Sequence, residues 1–225
     1  MRIAAVILDV DGVMLSTDEL HFLAWQALAE REGIFFDRSI NERLRGVSRM
    51  ASLEILLERA TRAYSDDERL AMATFKNELY RSSLDRLTPA DVFPGVLDFL
   101  DHLRAIGVKA AVGSSSKNTK KLLERVGLLT RFRGAISDGT NISRSKPDPE
   151  VFLEAAAMIG VSPGRCLVIE DADAGVRAAK AGGMLALGVG SAARHPLAEF
   201  HAPSLEALWA GRGGEHAAFF RSLGP

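Results

Sequence analysis

Short, unbroken apolar runs punctuate the chain at Ile3–Leu8, Val108–Gly113, Ala135–Ser137, Cys166–Glu170 and Leu185–Val189. Each is rich in Val, Ile, Leu or Ala and gives way to Asp, Gly, Ser or Glu. Runs without polar alternation predict strands covered on both faces. Between them, apolar residues recur at helical spacing: Val96, Leu97, Leu100 and Leu103; then Leu122, Leu123 and Val126; then Val151, Phe152, Ala155, Ala156 and Ile159. Strand–helix alternation of this kind predicts an α/β fold with a doubly wound parallel sheet.

One stretch breaks the alternation. From about Ser16 to Thr88 there are helical patterns and no convincing strand. Leu20, Ala24, Ala27 and Leu28 give one helix face, Leu53, Leu56 and Leu57 a second, and Leu70, Phe75 and Leu79 a third. The expected division is an α/β core of residues 1–15 and 90–225 with an all-helical insertion at 16–89. Pro89 and Pro94-Gly95 mark the return to the core. The tail after Gly211-Arg212-Gly213-Gly214 reads as a loosely attached final helix.

Composition narrows the function classes. The chain has 225 residues, 47% of them hydrophobic, so a sizeable core can be buried. Its 28 basic and 29 acidic residues leave a net charge of −1, which argues against a general nucleic-acid binder. A lone cysteine, Cys166, excludes an internal disulfide and sits in an apolar run, where a small core residue is expected. The apolar run before Asp9 is too short for a signal peptide, and no stretch reaches the roughly 18–20 apolar residues of a membrane span. A cytoplasmic protein without membrane or nucleic-acid partners is expected.

In open parallel sheets, ligands bind at the carboxyl ends of the strands. Those ends carry Asp9-Val10-Asp11-Gly12-Val13, then Gly113-Ser114-Ser115-Ser116-Lys117-Asn118, then a loop with Ser145-Lys146-Pro147, and finally Glu170-Asp171. Asp9, Asp11, Glu170 and Asp171 together would repel unless a cation joined them. A hard divalent ion such as Mg²⁺ suits an all-oxygen set beside phosphate, and Lys146 adds a second positive charge. Asp9 and Asp11, one residue apart in an extended segment, point to the same side. Asp9 can attack phosphorus to form an aspartyl phosphate while Asp11 donates a proton to the leaving oxygen and later removes one from the acceptor. The serines could instead cap the helix starting near Asn118, although a helix N-terminus is itself suited to phosphate. Glu170-Asp171 could likewise be an acidic first turn. His102, His195, His201 and His216 have no metal spacing and read as surface residues.

Asp9-Val10-Asp11-Gly12-Val13, Ser114, Lys146 and Glu170-Asp171, in that order, resemble the four motifs of the haloacid dehalogenase superfamily, and the helical insertion lies where that superfamily carries a cap domain. Within it, the segments 21–30, 41–49, 88–95 and 116–118 are similar to the β-phosphoglucomutase family. The resemblance implies interconversion of β-glucose 1-phosphate and glucose 6-phosphate through a β-glucose 1,6-bisphosphate. It implies Asp9 as nucleophile and Asp11 as general acid/base. It also implies Mg²⁺ held by Asp9, the Asp11 carbonyl, Glu170 and Asp171, with Ser114 and Lys146 on the transferring phosphoryl group. Arg49, Ser116 and Asn118, flanked by Ser115 and Lys117, fall to the distal phosphate. Thr17, His21, Trp25, Gly46, Val47, Ser52 and Lys76 fall to the hinge and the sugar side. The family has lysine where this chain has Arg45, and arginine presents a planar fork on a longer reach.

Two further functions stay open beside the mutase. A phosphatase for sugar phosphates or other small phosphomonoesters would share the core chemistry but pass the phosphoryl group to water. A catalytically silent sugar-phosphate sensor would have lost a catalytic carboxylate, and this chain has kept them all. A monomer is expected.

Overall fold

The computed structural model describes residues 2–224. A six-stranded, wholly parallel sheet runs in the order β3-β2-β1-β4-β5-β6, with β1 at Ala5–Leu8, β2 at Lys109–Gly113, β3 at Ile136–Ser137, β4 at Cys166–Glu170, β5 at Leu185–Gly188 and β6 at Phe200–His201. The five strands expected from the apolar runs are all present. The sixth was not expected: it has only two residues, lies at the sheet edge and is partly exposed, so it shows no apolar run.

Alternate residues of β1 face opposite sides, as strand geometry requires. Val6 and Leu8 join one apolar cluster, with Val96, Phe99 and Leu103 of α5 (Val96–Ala105) and Leu122 and Leu123 of α6 (Thr119–Arg125). Ala5 and Ile7 join the other, with Val151, Phe152 and Ala155 of α7 (Glu150–Met158) and Val176 and Ala179 of α8 (Asp173–Ala181). The chain winds from β1 outward to β3 and then returns to place β4 on the other side of β1. That reversal opens a crevice at the carboxyl ends of β1 and β4. Their register pairs Leu8 with Ile169, so Asp9 and Glu170 leave the sheet side by side.

Between β1 and α5 stand α1 (Asp18–Glu32), α2 (Arg38–Glu42), α3 (Arg49–Leu57) and α4 (Asp66–Ser83). Side chains cap three of them: Asp37 accepts from the Ile40 amide, Ser48 from that of Ala51, and Ser65 forms a reciprocal capping box with Glu68. They enclose an apolar cluster of their own, which includes Trp25, Leu28, Ile40, Leu53, Leu56, Met72 and Ala73. One expectation fails here. Leu70 is 62% exposed, and the inward face of α4 is Met72, Ala73, Lys76 and Tyr80. A buried lysine on that face hides its periodicity from a search for apolar spacing.

The tail also differs from expectation. It forms α9 (Leu205–Ala210) and α10 (Ala217–Ser222), and it is fastened to the sheet. The Ile3 amide donates to the Ser222 carbonyl at 2.9 Å, and the Gly224 amide donates back to the Ile3 carbonyl at 2.9 Å. Phe219 is buried against Phe99, and His102 packs between Trp209 and Phe220. His102, His195 and His216 are therefore partly covered, and only His201 is the exposed residue expected of all four. Among the described residues, no helix is long and apolar enough to cross a membrane.

Because Phe219 is a core residue, Phe219→Ala should cost about 3 kcal/mol. Urea unfolding of the variant measures this, and a change below about 0.5 kcal/mol, as for a surface site, would restore the picture of a loose tail.

Candidate active site

The crevice gathers its charges around one buried lysine. Lys146 Nζ lies 2.5 Å from Asp9 Oδ1 and 2.5 Å from Glu170 Oε1, with its side chain out of contact with solvent. Glu170 turns its second oxygen to the amides of Asp171 and Ala172, at 2.9 and 3.0 Å. Two close approaches make this possible. A β-carbon at Gly175 would fall 1.9 Å from Glu170 Oε1, and one at Gly12 would fall 2.1 Å from Asp171 Oδ2. Gly12 also has φ +74°, which lets the chain turn back just after Asp11.

Burial pushes the Asp9 and Asp11 carboxyls above the usual range. For Asp9 the Lys146 ammonium opposes that push, while Glu170 and Asp171 add to it. Asp171 is raised to about 7, first by burial and then by Glu170, although the Arg45 guanidinium pulls it down. Lys146, held between carboxylates, has its pKa raised despite its burial. Arg45 comes from the loop after α2: its Nη2 is 2.5 Å from Asp171 Oδ2 and 3.0 Å from Asp18 Oδ2.

The serine loop after β2 meets the helical insertion from the other side. Ser115 Oγ donates to the Gly46 carbonyl at 3.1 Å, and Asn118 Nδ2 donates to Asn77 Oδ1 at 2.9 Å. Ser114 Oγ accepts from the Ser116 amide, and Ser116 Oγ from the Asn118 amide. Within the insertion, Lys76 Nζ is 2.7 Å from His21 Nδ1 and lies over the rings of Trp25 and Tyr80. Burial, reinforced by Arg49, lowers Lys76 to about 7. Burial and the same two cations drive His21 well below its ordinary value.

These walls enclose a cavity of about 450 Å³. Asp9, Asp11, His21, Trp25, Arg45, Gly46, Val47, Arg49, Ser52, Lys76, Ser114, Ser115, Ser116, Lys117, Asn118, Lys146 and Asp171 all line it. Thr17 and Glu170 do not: both lie behind the wall, where Thr17 holds Asp11 and Glu170 holds Lys146. Thr17 is thus not placed to touch a ligand as a binding residue would be. The lining also includes Asp18, Asn41, Asn77, Tyr80 and Ser145, which sequence reasoning missed. Tyr80 follows Lys76 by four residues, so shared helix face was an available signal.

Asp9, Glu170 and Asp171 each offer a carboxylate oxygen, and the three atoms lie within 4.8 Å of one another. All are buried, two have carboxyls raised by that burial, and every donor is a hard oxygen. This donor set fits a divalent cation, which would relieve the repulsion that Lys146 only partly offsets.

A family model for haloacid dehalogenase-like hydrolases matches residues 3–183, and the chain belongs to that family. Among curated relatives, it is 46% identical over 188 residues to the β-phosphoglucomutase of Bacillus subtilis, covering 83% of each chain. It is 34% identical to the fructose-1-phosphate phosphatase of Escherichia coli, over 84% of this chain and 97% of that one. The crystal structure of β-phosphoglucomutase from Clostridium difficile superimposes with a TM-score of 0.89 at 34% identity, covering 98% of this chain and 96% of that one.

The raised carboxyls set a sign for stability against pH. Between the ordinary 3.8 of Asp171 and its folded value of about 7, the folded chain holds a proton that the unfolded chain has lost. Stability without metal therefore declines as pH rises through that window. In EDTA, Tm should be higher near about pH 5 than near about pH 8, and saturating Mg²⁺ should raise Tm more at the higher pH. Equal Mg²⁺ shifts at both pH values, or an unchanged slope in Asp171→Asn, would contradict the assignment.

Proposed function

We propose that the chain interconverts β-glucose 1-phosphate and glucose 6-phosphate through an aspartyl-phosphate enzyme and a β-glucose 1,6-bisphosphate. One observation carries the reading. The cavity sets the Asp9 nucleophile in one wall and, in the wall formed by the insertion, Arg49 and Lys76, neither of which forms an ion pair among the described residues. A second phosphate needs such cations, whereas a simple phosphatase does not. The cavity volume also suits a sugar bisphosphate.

Lys146 occupies Asp9 Oδ1, which leaves Oδ2 to carry the phosphoryl group. Phospho-Asp9 gives that group to the 6-hydroxyl of β-glucose 1-phosphate as Asp11 takes the hydroxyl proton. The bisphosphate then turns over in the closed cavity. Asp9 Oδ2 attacks the 1-phosphate, and Asp11 returns the proton to the departing sugar oxygen. Ser114 and Lys146 steady the transferring group, and Ser115, Ser116, Lys117 and Asn118 join Arg49 about the other phosphate. Trp25, Gly46, Val47 and Ser52 bound the sugar. Asp9, Asp171 and the Asp11 carbonyl, with Glu170 beside them, would hold Mg²⁺, which would supply charge neutralisation for the two anions that must approach each other.

Residues 16–89 act as a cap on a core of 1–15 and 90–225, opening at 15–17 and 88–91 to exchange ligand and closing to exclude water. Every group in the scheme comes from one chain, in keeping with a monomer, and the substrates are those of the cytoplasm.

The test supplies β-glucose 1-phosphate, Mg²⁺ and a trace of the bisphosphate, and follows glucose 6-phosphate against free phosphate. Glucose 6-phosphate should dominate, and release of phosphate alone would move the reading to a phosphatase. Asp9→Asn should lower kcat on the order of 10³-fold or more. Full activity in that variant would remove Asp9 as nucleophile.

A further inference from the structure

We propose that Asp138, at the carboxyl end of β3 and outside the cavity, is a positioning residue that sets the grip of the serine loop, residues 114–118, on the second phosphate of the substrate. The proposal rests on the role given to that loop above. β3 pairs with β2 through Ser137 and Gly113, so the two strands release their loops side by side. Two backbone hydrogen bonds then join those loops. The Ser114 amide donates to the Ser137 carbonyl at 3.0 Å, and the Gly139 amide donates to the Ser116 carbonyl at 3.2 Å. Asp138 is the residue between these two ties. It does not line the cavity, whereas Gly139, Ile142 and Ser143, in and just after the turn it shapes, do.

Three of the four polar groups of Asp138 are engaged in that turn. Its carbonyl accepts from the Asn141 amide at 3.1 Å, and its amide donates to Asn141 Oδ1 at 2.7 Å. Its Oδ1 accepts from the Thr140 amide at 2.8 Å and also from the Thr140 hydroxyl. An aspartate that accepts from the backbone two residues on defines a turn in this way. Only Oδ2 is left over, 3.8 Å from the Lys120 ammonium. The carboxylate is buried and Lys120 is exposed, so their attraction offsets little of the cost of burying the charge. What the carboxylate contributes is the shape of the turn.

That shape matters because the turn is pressed against the serine loop. A β-carbon at Gly139 would fall 2.5 Å from the Ser115 carbonyl oxygen and 3.0 Å from the Lys117 amide nitrogen. The Gly139–Ser116 bond is already at the long end of the usual range, so a turn that relaxes loses it. The segment 115–117 then keeps its contact with the Gly46 carbonyl of the insertion but has no support behind it. Ser114 is different, because its tie runs to β3 itself through Ser137. The transferring phosphoryl group is thus insulated from Asp138, and the second phosphate is not.

Asp138→Ala removes the acceptor and leaves β3 in place. With β-glucose 1-phosphate it should raise KM about tenfold and lower kcat less than about threefold, the signature of lost uniform binding. Asp138→Asn keeps a carbonyl oxygen for Thr140 and should stay within about threefold of wild type in both constants. Gly139→Ala disturbs the same loop by collision with the Ser115 oxygen, and KM should again rise about tenfold; this variant decides the matter if Asp138→Ala does not fold. Phosphorylation of Asp9 by acetyl phosphate, read by intact mass, needs no second phosphate and should keep its rate within about twofold in every variant. Calorimetry in an Asp9→Asn background, which does not turn over, reads binding directly: Asp138→Ala should raise the Kd of β-glucose 1,6-bisphosphate about tenfold. An unchanged KM and Kd, an equal loss with acetyl phosphate, or no restoration by Asp138→Asn would each overturn the proposal. So would a bisphosphate that binds Asp9→Asn no more tightly than glucose 6-phosphate, since no second phosphate would then be held. If the wild type makes no glucose 6-phosphate, the mutase reading falls, and the calorimetric comparison still decides the role of Asp138.

Discussion

Three carboxylates are buried together at the end of a parallel sheet, and the rest of the structure is arranged around that repulsion. Lys146 is the internal answer, bridging Asp9 and Glu170 from within the wall. Burial raises the pKa values of Asp9 and Asp171, the neighbouring acids add to it, and because one ammonium cannot balance three acids the cluster has the character of a cation site. The fold supplies the rest. The reversal of strand order puts β1 beside β4, and their register delivers Asp9 and Glu170 as neighbours. Gly12 and Gly175 admit carboxylate oxygens where any side chain would collide with them.

The same imbalance explains how the helical insertion closes over the core. Arg45 reaches Asp171, and Asp18 of α1 shares the guanidinium, so the cap is drawn down by charge. Across the serine loop the contacts are neutral hydrogen bonds from Ser115 and Asn118. Away from these contacts the two bodies share apolar packing, since Ala24, Tyr80 and Leu84 of the insertion belong to the same cluster as Val6 and Phe99 of the core. The polar contacts beside the cavity exchange readily with water, whereas the apolar packing holds the two bodies together at the hinge side.

The core was legible in the sequence because buried parallel strands are unbroken apolar runs, and their ends fall where the polar motifs begin. Asp9, Lys146 and Glu170-Asp171 could be placed together from that alone. The two-residue β6 had no run to show, and the inward face of α4 was obscured by Lys76. The tail was misread because its glycines look like a linker, while its anchorage rests on pairing with Ile3 at the far end of the chain. Tyr80 escaped notice for a related reason. An aromatic residue at helical spacing reads as core, and its hydroxyl acquires meaning only once Thr17 and Asp11 are known to lie beneath it.

Asp9 and Asp11 are two residues apart on one loop, yet their environments assign them different work. Asp9 has one oxygen tied to a buried ammonium, which opposes the upward push of burial and of the neighbouring carboxylates, and a cation at the metal site would add to that support for a charged nucleophile. Asp11 faces no ammonium within bonding distance and is held by two hydrogen bonds to a single oxygen, with its carboxyl raised by burial. That setting favours a group that changes protonation state. The division depends on Lys146 reaching one carboxylate and not the other. Lys146 comes from the core and Thr17 leads into the insertion, so on the proposed roles the nucleophile is tied within one body while the proton carrier, itself on the loop after β1, is hydrogen-bonded to the other.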